Sequence, residues 1–247
     1  MIESVHIPIF CECEEGREGA LLTLKTIRVG FPTAKVTAHW MGDYALSEVE
    51  DLCYKNHVNV VSSPSISRNG HLIAWLVATN QQGFAVVDSD VVFFDNCENF
   101  ETDALIAGEF IPPFHCPIAN AVTYSRLHTA FFVVPDPARL RKAIAKVYQP
   151  AFPKFCPFDP FSPVVTFQVR EARFHDSCSV LYHAVGGYSF DAAMLDKFEH
   201  VYSGTYAHKL PWPHSKFIKD VYTDPSKAKG FRKVMDGFFA DRKAVIA

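Results

Sequence analysis

The chain has 247 residues, 49% hydrophobic and 21% charged, with a formal net charge of -3. That length admits one large domain or two small ones with a substantial core. The charge balance excludes the broad basic face of a nucleic-acid binder, and no apolar run approaches the roughly 20 residues of a membrane helix.

The opening, MIESVHIPIFCECEE, has no basic head before an apolar core, so no secretory leader is expected there. Seven cysteines (Cys11, Cys13, Cys53, Cys97, Cys116, Cys156 and Cys178) are odd in number and scattered, without a Cys-x-x-Cys pair. They predict reduced thiols in a cytoplasmic protein rather than a disulfide framework or a zinc ribbon.

Ser4 to Cys11 predicts a first strand. Glu18 to Arg28 carries Ala20, Leu21, Leu24 and Ile27 at helical spacing, and Gly30 and Pro32 stop it. A second strand, Val36 to Trp40, closes on Gly42 and Asp43. Ser47 and Glu50 fit a capping box for a helix running to about Asn56. Val58 to Val61 is a third strand, followed by the loop SSPSISRNG around Arg68. His71 to Gln82 is apolar nearly all round, which predicts a buried helix with Trp75 in the core. Strands alternating with helices in this way predict a mainly parallel, helix-covered α/β sheet.

The fourth strand carries the most informative stretch, FAVVDSDVVFFDN. An apolar run delivers Asp88, Ser89 and Asp90 to one strand end, and four more apolar residues follow. Two acids this close disfavour each other's charge unless a cation sits between them. Oxygen donors favour Mg2+ or Mn2+. Ligands of parallel sheets bind beyond the carboxyl ends of the strands, where Asp43, Arg68 and the acidic pair would converge. The plain alternative is an acidic turn within an ordinary sheet.

Apolar strand, Asp-x-Asp, apolar strand, reached after three β-α units, resembles the metal motif of GT-A glycosyltransferases, which move a sugar from a nucleotide diphosphate. The resemblance implies a Rossmann-like, mixed and mainly parallel sheet with helices on both faces, in a single domain. Its first hundred or so residues would bind the donor and the rest would shape the acceptor pocket. It implies that the metal bridges Asp90 to the diphosphate and that Asp88 contacts ribose or metal, beside Ser89. Asp43 would contact the nucleobase and Arg68 the phosphates. Pro8 and Ile9 would line the nucleotide, although a place in the core suits them as well.

The second half is less regular. Leu105 to Phe110 predicts a strand, IPPFHCPIANAVTYSRL a loop, and Thr129 to Val134 another strand. Asp136 and Pro137 open a helix over about Ala138 to Tyr148. QPAFPKFCPFDPFSP, with five prolines and four phenylalanines, can be neither helix nor central strand. Thr166 to Val169, Val180 to Ala184 and Phe198 to Tyr202 predict strands, and the tail from Asp224 a helix.

HVYSGTYAHKLPW, His200 to Trp212, loosely resembles a C-terminal motif of the glycogenin-like glycosyltransferases. There a His binds the metal, while a Gly and a Lys hold the diphosphate. The match assigns His200 to the metal, Gly204 to a close backbone approach and Lys209 to the phosphates, with His208 and His214 as rival ligands. The gaps here are longer than in that family, and Leu210 separates Lys209 from Pro211. Glu109, Asp159, Asp176 and Asp191 are candidate catalytic bases on the acceptor side.

These readings imply a hexosyltransferase using Mn2+ or Mg2+, a UDP- or GDP-sugar donor, and a glycan, protein or small-molecule acceptor. Alternatives are a haloacid dehalogenase-type phosphatase, a sugar nucleotidylyltransferase, and a non-catalytic nucleotide- or glycan-binding module.

Overall fold

The computed structural model describes residues 1–9, 14–40, 47–63, 69–116, 121–151, 173–174, 178–201 and 214–233. The first strands are β1 (Ser4–Ile9), β2 (Lys35–Trp40), β3 (Asn59–Ser62), β4 (Phe84–Val87), β5 (Val91–Phe93) and β6 (Ala107–Ile111). They are followed by β7 (His115–Cys116), β8 (Ala121–Thr123), β9 (Arg126–Val134), β10 (Arg173–Phe174), β11 (Tyr188–Ser189) and β12 (Phe198–His200). The helices are α1 (Glu14–Gly30), α2 (Ser47–Lys55), α3 (Asn69–Thr79), α4 (Pro137–Ala151), α5 (Ser179–Val185), α6 (Ala192–Leu195) and α7 (His214–Thr223). Seven strands form a mixed, mostly parallel sheet in the order β11-β6-β9-β4-β1-β2-β3, the α/β class expected from the alternating pattern. Among the described residues, no helix is long and apolar enough to cross a membrane.

The chain divides into two compact units. One combines Met1–Ser67, Ala85–Glu101 and Asp191–Arg232. Here β1, β2 and β3 run parallel, with Ile9 opposite Trp40 and Trp40 opposite Ser62, so their carboxyl ends are level. Val5, Ile7 and Ile9 are buried along β1. The stripe seen in the sequence makes α1 an amphipathic helix that packs against α2, α7 and β5. It buries Leu22, Leu24 and Ile27 completely, each worth about 1.5–3 kcal/mol.

Gly30 ends α1 because nothing larger fits. A Cβ there would lie 2.6 Å from the Phe93 ring. The Arg28 guanidinium then donates to the carbonyls of Phe31, Ala34, Asn56 and His57, tying the turn after α1 to the end of α2.

The other unit combines Arg68–Phe84, Thr102–Phe190 and Lys233–Ala247. Antiparallel β6 and β9 form its spine, with a register shift between Gly108 and Phe110, and β11 runs parallel to β6. Helix α4 begins as its sequence requires. Pro137 is the first helical residue and the Asp136 carboxylate accepts the Arg139 N–H at 2.9 Å. Arg141 donates to the carbonyls of Val77 and Asn80 at the end of α3.

Several expectations are corrected. Val180 to Ala184 lies in helix α5, not a strand, because a short apolar run does not separate the two. Trp75 is 47% exposed: Leu72, Ile73, Leu76 and Val77 form the buried arc of α3, and position 75 falls outside it. The segment read as a loop after Ile111 holds β7 and β8, and β9 begins at Arg126 rather than Thr129. Helix α7 had no counterpart in the sequence reading, and Pro225–Ala228 forms a 3-10 turn. Residues 166–169 lie outside the described residues.

Candidate metal centre

Fully buried β4 runs into Asp88, Ser89 and Asp90, which turn the chain into buried β5. The two strands are apolar because they are enclosed, and the acids fall at the turn where that enclosure ends. β12 then pairs antiparallel with β5, His200 opposite Val91 and Phe198 opposite Phe93. The Val201 N–H donates to the Asp90 carbonyl at 2.9 Å, extending the pairing by one residue. This register sets His200 beside the acidic turn.

His200 Nε2 and Asp90 Oδ1 are 2.9 Å apart, although the residues are 110 positions apart in the chain. Donor atoms of Asp88, Asp90 and His200 all lie within 4.8 Å of one another. Asp90 and His200 are buried and Asp88 is half-buried, so the cluster has a closed side and an open side. Mg2+ or Mn2+ binds its donors at about 2.1 Å, which puts adjacent donors about 3 Å apart and opposite ones about 4 Å apart. The 2.9 Å separation of His200 and Asp90 matches adjacent donors, and two carboxylates with one imidazole are donors that suit such an ion.

At the other end of the β5–β12 pair, Phe94 and Asp95 N–H groups donate to the Lys197 carbonyl, and the Lys197 ammonium donates to the Asn96 carbonyl. Glu199 is buried and points to the far side of β12. It accepts the Gly230 N–H at 3.1 Å and the Arg232 N–H at 2.8 Å. Arg232 donates to the carbonyls of Leu195 and Phe198. The strand that carries His200 is thus anchored on both sides. Leu22, Val92, Val201, Val221 and Ala228 form an apolar cluster beneath it.

Across β1 and β2 to the residue after β3 runs a polar chain that the sequence reading did not anticipate. His6 Nδ1 meets His39 Nε2 at 2.9 Å, and His39 Nδ1 meets Ser63 Oγ at 3.2 Å. Burial pushes His6 down to about 3, with His39 and Lys35 adding to the effect, and burial pushes His39 down to about 4. The only sequence signal was a histidine in each of two strands otherwise read as apolar.

Of the other expected residues, Pro8 and Ile9 are buried at the end of β1, opposite His39 and Trp40. Ser89 is half-buried between the two acids. Glu109 sits at the register shift of β6, and Asp191 caps α6 by accepting the Met194 N–H at 2.8 Å. Asp43, Arg68, Asp159, Asp176, Gly204, His208 and Lys209 lie outside the described residues. A groove of about 540 Å³ between α1, α2 and α7 contains none of the triad. Arg17, Lys55 and Lys219 line it together with Glu18, Glu48 and Asp51, so its charges do not select one sign of ligand.

A scan against protein-family models found no match, and a search of curated proteins found none. Among solved structures, the glycosyltransferase GlyE of Streptococcus pneumoniae TIGR4 aligns at a TM-score of 0.46 and 9% identity, over 91% of this chain and 53% of that one. The chain therefore spans about half the length of that protein. A cytidylyltransferase from Leptospira borgpetersenii aligns at 0.39 and 9% identity, over 93% and 98% of the two chains. The mannosyltransferase PcManGT from Pyrobaculum calidifontis, in complex with GDP-Man and Mn2+, aligns at 0.36 and 7% identity, over 70% and 56%. The chain is thus similar, distantly, to glycosyltransferases and a nucleotidyltransferase, at a level that assigns neither substrate nor reaction.

Proposed function

We propose that the protein is a metal-dependent glycosyltransferase of the GT-A type, moving a hexosyl group from a UDP- or GDP-sugar to a glycan, protein or small-molecule acceptor. One observation carries the reading: His200 meets the Asp88-Ser89-Asp90 turn, so a motif suggestive by sequence is also a three-donor cluster in space. A parallel β-α array leading to that turn supports it.

In this reading Asp88, Asp90 and His200 hold Mn2+ or Mg2+, and the imidazole nitrogen favours Mn2+. When bound, the ion supplies positive charge to the diphosphate leaving group. Such charge is worth about 1 kcal/mol per pair at 4 Å in water and about 4 at an effective dielectric of 20, so a half-closed site matters. Buried β5 and β12 keep Asp90 and His200 from relaxing into solvent. Lys209, Arg68 and the backbone at Gly204 are proposed for the phosphates. Asp43, Pro8, Ile9 and Ser89 are proposed for the nucleoside. Glu109, Asp159, Asp176 and Asp191 are the candidates for a base at the acceptor hydroxyl.

The test is release of nucleoside diphosphate from UDP- and GDP-sugars with and without Mn2+, for the wild type and Asp90→Ala. Metal-dependent release lost in the variant, with an unchanged far-UV spectrum, is expected. Full activity in Asp90→Ala refutes the assignment. Phosphate release from simple esters would indicate a phosphatase instead, and nucleotide binding without turnover a binding module.

A further inference from the structure

Helix α1 meets the acidic turn and β5 through two hydroxyls set in its otherwise apolar buried face. The Val91 N–H donates to Thr23 Oγ1 at 2.9 Å, and the Thr23 hydroxyl faces the Asp88 carbonyl at 3.5 Å. One turn on, the Phe93 N–H donates to Thr26 Oγ1 at 3.1 Å, and the Thr26 hydroxyl donates to the Leu22 carbonyl at 3.1 Å. Both threonines are buried, Thr23 completely.

Strand β5 has two edges. One pairs with β12, and the other presents the N–H groups of Val91 and Phe93 to α1. Thr23 and Thr26, three positions apart on one face of the helix, take the place of a partner strand. Their tasks differ. Thr26 bonds only to β5 and to its own helix, whereas Thr23 spans the turn, facing Asp88 before it and Val91 after it.

We propose that Thr23 is a positioning residue for the metal centre, whose hydroxyl fixes the separation and aim of the Asp88 and Asp90 carboxylates. This role presupposes the ion proposed above. Without the Thr23 oxygen the buried Val91 N–H loses its acceptor, and the turn shifts to find another. The acids then lose their common focus although neither has been altered. Thr26 shares the burial, the helix and the bond to β5, but not the contact across the turn, so it separates positioning from general stability.

The experiment is Mn2+ titration of the full chain by EPR, with urea unfolding in parallel, for wild type, Thr23→Val, Thr23→Ser, Thr23→Cys and Thr26→Val. Thr23→Val is expected to weaken Mn2+ binding about tenfold or more, the scale for residues that support metal ligands. Thr23→Ser, which keeps the hydroxyl, restores it. Thr26→Val loses comparable stability but keeps wild-type affinity. Thr23→Cys, close in size with a weaker acceptor, falls between, and supplies the readout if the valine variant does not fold. Wild-type affinity in Thr23→Val or Thr23→Cys overturns the proposal. An equal affinity loss in Thr26→Val also overturns it, because the effect is then general loosening. Wild-type protein that binds no Mn2+ removes the metal reading itself, and Thr23's role with it.

Discussion

Acid should loosen this protein through two histidines that take no part in the proposed metal centre. His6 and His39 meet inside the sheet, ring nitrogen to ring nitrogen at 2.9 Å, and burial holds them at about 3 and about 4 against an ordinary 6.5. In the folded state both rings stay neutral as the pH falls, whereas in the unfolded chain both take protons near 6.5. The unfolded state therefore binds more protons, and stability falls with falling pH. The contribution is complete above about pH 6.5 and is lost progressively down towards the folded values. From neutrality to pH 5 each ring gives up roughly 2 kcal/mol, about 4 together, since in that range the loss is set mainly by the unfolded-state value. That is a large share of a typical domain's 5–15 kcal/mol. Urea unfolding at pH 7.5, 6.5, 5.5 and 5.0 measures it, with the wild type compared with a His6→Gln/His39→Gln variant. The variant starts from a different baseline, but its stability should decline with acid about 4 kcal/mol less. Parallel declines in the two proteins would refute the reasoning.

Three further outcomes follow from the packing. Mn2+ binding should weaken far more in His200→Ala than in His214→Ala; the reverse order in an isothermal titration would reassign the nitrogen donor. Gly30→Ala should lower stability by about 1–3 kcal/mol, because the new Cβ meets the Phe93 ring at the end of α1; an unchanged thermal midpoint would contradict the contact. Glu199→Gln leaves one of the two backbone N–H groups on this buried carboxylate poorly matched and removes the charge beside Arg232, costing about 1–3 kcal/mol in urea unfolding, and no measurable cost would show the tether to be slack.

The acidic turn was legible because it interrupts a long apolar run, and such a run has few places to go other than a buried strand. The order of strands and helices up to Val87 was legible for a similar reason, since each element carries its own periodicity and its own stop. His200 was different. Nothing in HVYSG marks a ligand, and only the resemblance to a known motif singled it out. What places it is the pairing of β12 with β5, a long-range fact that local pattern does not encode. Thr23 was invisible for the opposite reason: a threonine in an apolar stripe reads as a mild flaw in a helix until the strand beneath it is seen. Val180 to Ala184 failed because an apolar run of that length suits either geometry, and Trp75 because a helix apolar on every side does not announce which arc will be enclosed.

The donors meet across 110 positions of sequence, and that has a consequence for how the chain holds together. An ion shared by the Asp88-Asp90 turn and His200 would act as a reversible cross-link, closing a loop whose entropic cost grows as (3/2)RT ln n and reaches about 4 kcal/mol at this span. Chelators would then lower the stability of the fold as well as empty the site.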